Sequence, residues 1–295
     1  MGFNNVSLLY AMLRHLKYDT LNRDMIGHTI TREFGPIDHD DIYLYVSATL
    51  DNPRRYDGEN AIAPPFYMSR LLYPMFHYFL TNRDLHINLL RMVHGQQDGH
   101  WHRPIRVGDK LRIEMSVDSI TDTPAGEVLN LRTKAYVIND VDALAMEAVS
   151  GFIVRKKAKP ASDPAGKKDE HKSAEAFRVA FKTREGQQLT YARVSGDTNF
   201  MHTSNFLSRL AGLPRTILHG VCLAAMTGNA LLDHILHGDM TRIVGLSVRF
   251  ASPVIPGDEL TIIGYESEKK GEIPFEVFNE RGRAVIRNGL FRFRE

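Results

Sequence analysis

Cysteine is nearly absent. Cys222 is the only one, so no internal disulfide can form and no CxxC or Cys/His finger spacing exists. A reducing cytoplasm is the compartment this predicts. An excess of charge of one sign is missing too: 37 Lys and Arg face 35 Asp and Glu, for a net +2. That balance gives no electrostatic case for nucleic acid as a partner. No uninterrupted apolar run approaches the roughly 18 residues needed to cross a bilayer, so no membrane partner is expected. The run Val6–Leu13 is followed rather than preceded by basic residues and has no small-residue cleavage site, unlike a signal peptide. Val6 stands where a myristoylation motif after Gly2 needs Ser or Thr, and the FRFRE ending is no peroxisomal tripeptide. Gly-rich phosphate loops, Walker motifs and a G-x-S-x-G elbow are also lacking.

What is present reads as two similar halves. At 295 residues the chain is long for one core and comfortable for two domains. Arg155–Lys172 carries two Pro, many charges and almost nothing to bury, and reads as a linker between units 1–154 and 173–295. Each unit places a helix candidate before runs of alternating, β-branched sequence. Pro104 with Gly108-Asp109, and Pro253 with Gly257-Asp258, stand 149 positions apart in both cases. A Gly-Asp turn between strand-like runs is weak alone, but its recurrence indicates an internal duplication of α+β units. The stretch 219–238 is small and apolar, so a helix there should be largely buried. Its counterpart, 64–82, is rich in aromatics and Met, and Pro74 is expected to kink it or end its first part.

The segment "VSGDTNFMH" puts Asp197 and His202 five positions apart among turn and cap formers. Alone, it reads equally as a helix cap beside an incidental imidazole. Further on, His219-Gly220 opens the apolar helix, where a glycine N–H and the helix dipole suit a developing oxyanion. A carboxylate, an imidazole and an N–H donor are the parts needed to add water across a double bond conjugated to a thioester, or to remove it.

"YARVSGDTNFMH", "ILHGVCLAAMTG" and "FASPVIPGDEL", in that order, resemble the MaoC-like family of R-specific enoyl-CoA hydratases and 3-hydroxyacyl dehydratases. The first half resembles the same fold more loosely through "IAPPFYM" and "HRPIRVGDKL". The resemblance implies two fused hotdog domains, each an antiparallel sheet wrapped around a long central helix. It implies that Asp197 and His202 form a catalytic dyad gripping one water, with Asp197 as base and His202 positioning the water and helping to return the proton. Either residue can handle that proton, and dehydration reverses the roles. Asn199 would order the loop and the Gly220 N–H would bind the thioester oxygen. The substrate would be an acyl-CoA or acyl-carrier-protein thioester, with no metal or redox cofactor. Phe200 departs from the family's usual Pro, which predicts a different loop backbone, and Thr227-Gly228 replaces a supporting serine of the central helix.

The first half lacks these features. Five positions on from Asp51 stands Tyr56, and Pro64-Pro65 occupies the place of His219-Gly220, so no N–H is available there. One active site is therefore expected, and the resemblance implies that the silent half makes room for the acyl chain. Its wall candidates are Phe66, Tyr67, Met68, Leu71, Leu72 and Phe76. His100 and His102 share a strand face but lack further ligands, so a metal site is not expected. His219, His234 and His237 read as surface or cap residues, and Cys222 as an inert core thiol. Alternatives are a thioesterase on the same fold, or a non-catalytic acyl-thioester-binding subunit. The double unit can stand as a pseudo-dimer or pair again as a homodimer.

Overall fold

A computed structural model describes residues 14–139, 142–156 and 173–295. Val6–Leu13 and the linker stretch 157–172 lie outside them. Alternation dominates the first half: in β3 (Leu111–Thr123), Leu111, Ile113, Met115 and Val117 all point into the core. β3 pairs antiparallel with β1 (Thr29–Phe34) and β4 (Gly126–Val137), and β4 pairs with β5 (Ala143–Arg155), which pairs with β2 (Met92–Trp101). The second half repeats the order with β6 (Glu175–Lys182), β8 (Glu259–Tyr265), β9 (Glu272–Asn279), β10 (Ala284–Phe293) and β7 (Ile243–Phe250).

The two sheets are not separate. β2 and β7 pair antiparallel from Gln96↔Arg249 to His100↔Gly245, giving one ten-stranded sheet. A Cβ on Gly245 would stand 2.9 Å from the Gly99 carbonyl oxygen, so the seam needs glycine there. The fold is α+β, a double hotdog.

Among the described residues six α-helices accompany this sheet: α1 (His39–Thr49), α2 (Met68–Thr81), α3 (Gln187–Ser195), α4 (Phe200–Thr203), α5 (Asn205–Leu210) and α6 (Gly220–Leu236). α6 is the expected buried helix, with Cys222, Ala224, Leu231 and Leu232 fully or nearly fully covered. Burial pushes the Cys222 thiol well above its ordinary range, which makes it unreactive. In the first half one of the two expected outcomes is ruled out. Pro74 does not end the helix, and α2 runs through it to Thr81. Met75 and Phe79, both fully buried, anchor the turn beyond the proline, so packing outweighs the lost backbone hydrogen bond.

Hydrogen bonds show how closely the halves correspond. Asp109 Oδ2 accepts from the Arg106 N–H at 2.8 Å, and Asp258 Oδ2 accepts from the Ile255 N–H at 3.0 Å. Ala63 N–H donates to the Ile105 carbonyl at 2.8 Å, and Leu218 N–H to the Val254 carbonyl at 2.9 Å. The second match places Pro64-Pro65 opposite His219-Gly220. The helices of the halves also clasp each other: Gln187 Nε2 donates to the Ala48 carbonyl at 3.1 Å and Arg70 Nη1 to the Val194 carbonyl at 2.8 Å.

Candidate active site

The site begins where α3 ends. Gly196 takes a left-handed conformation at φ +82°, releasing the chain into a loop, and Tyr73 of α2 lies 3.2 Å from where a Cβ on it would stand. Asp197 follows. Its Oδ1 accepts from the Asn199 N–H at 3.2 Å, and Asn199 Oδ1 in turn caps α4 by accepting from Met201 N–H at 3.1 Å. One turn of α4 then brings His202 back toward Asp197.

Phe200 is the first residue of α4, directly after the Asn199 cap. That is the position where proline fits a helix best, because the N–H there has no intrahelical partner. The first half has Pro53 in the same place, after its cap Asn52. Phe200 therefore fills a position that suits proline, behind the same Asn cap that precedes Pro53 in the first half. Phe200→Pro is expected to stabilise the chain by about 0.4–1 kcal/mol, read as a raised urea midpoint.

His202 is 9% exposed, and its Nδ1 lies 2.9 Å from the Ile217 carbonyl oxygen. A carbonyl only accepts, so neutral His202 carries its hydrogen on Nδ1 and presents Nε2 as a lone pair. Asp197, His202 and His219 each offer a ligand atom within 4.8 Å of the others, the one such group of three among the described residues. Asp197 and His202 share no direct hydrogen bond there. The two rings stack at 3.6 Å and 22°. The stacked pair is His202 and His219, and each already has one ring nitrogen on a backbone carbonyl, His202 Nδ1 on Ile217 and His219 Nε2 on Asp197.

His219 is where the sequence reading needs correcting. It is the N-cap of α6 by position, but its side chain caps nothing. Instead it is buried at 3% exposure, and its Nε2 donates to the Asp197 carbonyl at 2.9 Å. Burial, with His202 beside it, pushes its pKa well below the ordinary range. A neutral His219 lets His202 take up a proton without two cations facing each other. His234 and His237 are exposed, as expected.

Gly220 opens α6 with no side chain capping its first turn, so the helix start is open to a ligand atom. A Cβ on Gly220 would stand 3.1–3.2 Å from three atoms of the Phe250 ring, which explains the glycine. Thr227 Oγ1, at the place of the expected serine, is buried without a partner, while Gly228 receives the Phe66 ring.

The matching loop of the first half is tied down. Asp51 accepts from Arg55 Nη1 at 2.7 Å and from the Tyr56 hydroxyl, and Arg55 also pairs with Asp233 of α6. The Asn52 N–H also donates to Asp51 Oδ1 at 2.7 Å, so the Asp51 carboxylate has three protein partners. Among the wall candidates, Tyr67, Met68 and Leu72 are core residues at 1%, 3% and 5% exposure; their side chains are consumed in packing. Phe66, Leu71 and Phe76 are partly covered. His102 has a carboxylate neighbour after all, with Nε2 2.9 Å from Glu147.

His94 stands in the same His-bearing stretch as His100 and His102 and has no role assigned from sequence. His94 of β2 lies deep in the fold, where burial pushes its pKa down to about 4. An unfolded histidine ionises near 6.5, so between these values the unfolded chain binds more protons. Stability should therefore fall as pH drops from 6.5 toward 4, by up to about 3 kcal/mol from this residue. Melting curves across that range should show a shallower loss in His94→Phe than in the parent.

The sheet order and the Asp/His loop beside an open helix start define a double-hotdog protein with a candidate acid–base site. The MaoC like domain model matches residues 167–280, and a model of the FAS1-like dehydratase domain region matches residues 24–148. The chain belongs to the MaoC-like dehydratase family, in its double-hotdog form. It is 31% identical over 210 residues to 3-hydroxyacyl-thioester dehydratase Y of Mycobacterium tuberculosis, covering 68% of this chain and 66% of that protein. With the peroxisomal enoyl-CoA hydratase 2 of Arabidopsis thaliana it shares 28% identity over 180 residues, 57% of this chain and 58% of the relative. The chain thus spans about two thirds or less of these two relatives. A MaoC-like dehydratase from Phytophthora capsici superposes with a TM-score of 0.73 at 22% identity, covering 93% of this chain and 98% of that one. No helix among the described residues is long and apolar enough to cross a membrane.

Proposed function

We propose that this chain is a hydro-lyase that adds water to 2-enoyl thioesters to give (R)-3-hydroxyacyl thioesters, and catalyses the reverse dehydration. The observation that carries this reading is the pairing of Asp197 and His202 within 4.8 Å, unbonded to each other, beside the uncapped start of α6 at Gly220. Two acceptors facing one gap can hold a water by both of its hydrogens. In hydration the water oxygen adds to the β-carbon as Asp197 or the His202 Nε2 takes its proton. The π electrons move toward the thioester oxygen, where the Gly220 N–H and the helix dipole receive the charge. The enolate then takes up a proton at the α-carbon from the same pair. Dehydration reverses each step.

The first half contributes no second centre in this reading, because Pro65 has no N–H and Asp51 is held by Arg55 and Tyr56. The carrier is CoA or an acyl carrier protein, and the compartment a reducing cytoplasm. Loss of the enoyl absorbance of crotonyl-CoA, with chiral analysis of the product, tests the assignment. Release of free thiol with no hydroxyacyl product would overturn it in favour of a thioesterase; tight binding without turnover would favour a binding subunit.

A further inference from the structure

A line of aromatic side chains leads away from the oxyanion position into the first half. The Phe250 ring packs on Gly220. His94 meets Phe250 edge-on at 5.2 Å and stacks on Phe152 at 4.6 Å, and Phe152 meets Phe76 of α2 at 5.7 Å. Phe250, His94 and Phe76 are each only partly covered. An acyl chain whose carbonyl oxygen sits at Gly220 has this surface ahead of it.

His94 interrupts the apolar line. Its Nε2 is shut off from solvent and has no hydrogen-bond partner. Such a nitrogen is costly unless something pairs with it. The backbone is shaped to place this ring. β2 and β5 shift register between His94 and Gln96, and a Cβ on the extra residue Gly95 would come within 2.8 Å of Ile153. A bulge of this kind re-aims its neighbouring side chain, often beside a functional site. Burial keeps the ring neutral at ordinary pH, and the Asp197 charge reaches it from the catalytic loop.

We infer that His94 is a specificity-determining residue that selects acyl chains bearing an oxygen, a hydroxyl or a ketone, several carbons beyond the thioester. A neutral imidazole nitrogen pairs with a hydroxyl or, in its N–H tautomer, with a ketone oxygen. A plain alkyl chain at the same place leaves it unpaired. The inference rests on the proposed thioester site for the placement of the chain, but not on turnover.

The test separates the two. Binding is measured by calorimetry with two saturated acyl-CoA thioesters of equal length, one plain and one with a hydroxyl group toward the far end of the chain. The parent should favour the hydroxylated thioester by about three- to tenfold, the net worth of one hydrogen bond. His94→Phe should abolish the preference, and His94→Gln, which keeps a polar group, should restore part of it. The same variants are assayed for hydration of a 2-enoyl-CoA. A preference that disappears in His94→Phe supports the inference even if no hydration is seen, in which case only the hydro-lyase reading falls. Hydration with an unchanged or absent preference overturns the inference and leaves that reading in place. If neither thioester binds, both fall.

Discussion

Asp197→Asn should lower hydration of crotonyl-CoA by two to four orders of magnitude, roughly the range for loss of a positioned acid–base group. The substitution is nearly isosteric. An asparagine oxygen can still accept from the Asn199 N–H, as Asp197 Oδ1 does at 3.2 Å, so the loop and the α4 cap should persist. What disappears is the charge and the basicity on one side of the gap. His202→Ala should cost a similar factor, but it also removes the ring stacked on His219 and the bond to the Ile217 carbonyl. The double variant should be little worse than either single one, because the two act on one water and their losses do not add. The checks are steady-state kinetics and an unchanged circular dichroism spectrum. Undiminished turnover in Asp197→Asn would remove this loop from the chemistry.

The second large effect is expected at Gly220. Gly220→Pro removes the N–H proposed to meet the thioester oxygen, reproducing the chemistry of Pro65 in the first half. Proline is tolerated at the first position of a helix, so α6 should still form. Loss of one oxyanion donor costs about 10²–10³ in kcat. Proline also brings a Cβ against Phe250, and Gly220→Ala supplies the control. Alanine places a Cβ at the same 3.1–3.2 Å from that ring but keeps the N–H. A large drop in the proline variant with a small one in alanine assigns the effect to the donor. Equal drops would assign it to crowding by Phe250.

The second half was the easier one to read. Its Asp-x4-His loop, the His-Gly helix start and the Gly-Asp turn are local patterns, each set by residues close in sequence. α6 was legible because few of its side chains could face water. The alternating runs that became β3, β4, β5, β8, β9 and β10 were equally plain. What escaped was tertiary. His219 looked like a cap residue because its position allowed it, and only the packed fold shows its Nε2 on the Asp197 carbonyl. His94 lies on a strand over a hundred residues before the loop it faces, and nothing near it in sequence marks it. For Pro74 a local rule left a kink and an end both open, and the buried Met75 and Phe79 carry α2 past it. Tyr67, Met68 and Leu72 share the apolar character of Phe66 and Phe76, so composition could not tell the buried ones from the partly covered ones. The union of two sheets into one was also hidden, since β2 and β7 bear no mutual signature in sequence.

That union has a consequence for the chain as a polymer. From Gln96 to His100, and from Gly245 to Arg249, each half completes its hydrogen bonding only through the other. Cut apart and made separately, each half would present a bare strand edge, a template for whatever strand came next. Tethering the copies in one polypeptide keeps the correct partner at high local concentration from synthesis onward. It also frees each copy to change alone, so one could leave its Asp/His loop unbridged while the other turned its own carboxylate into an internal strut.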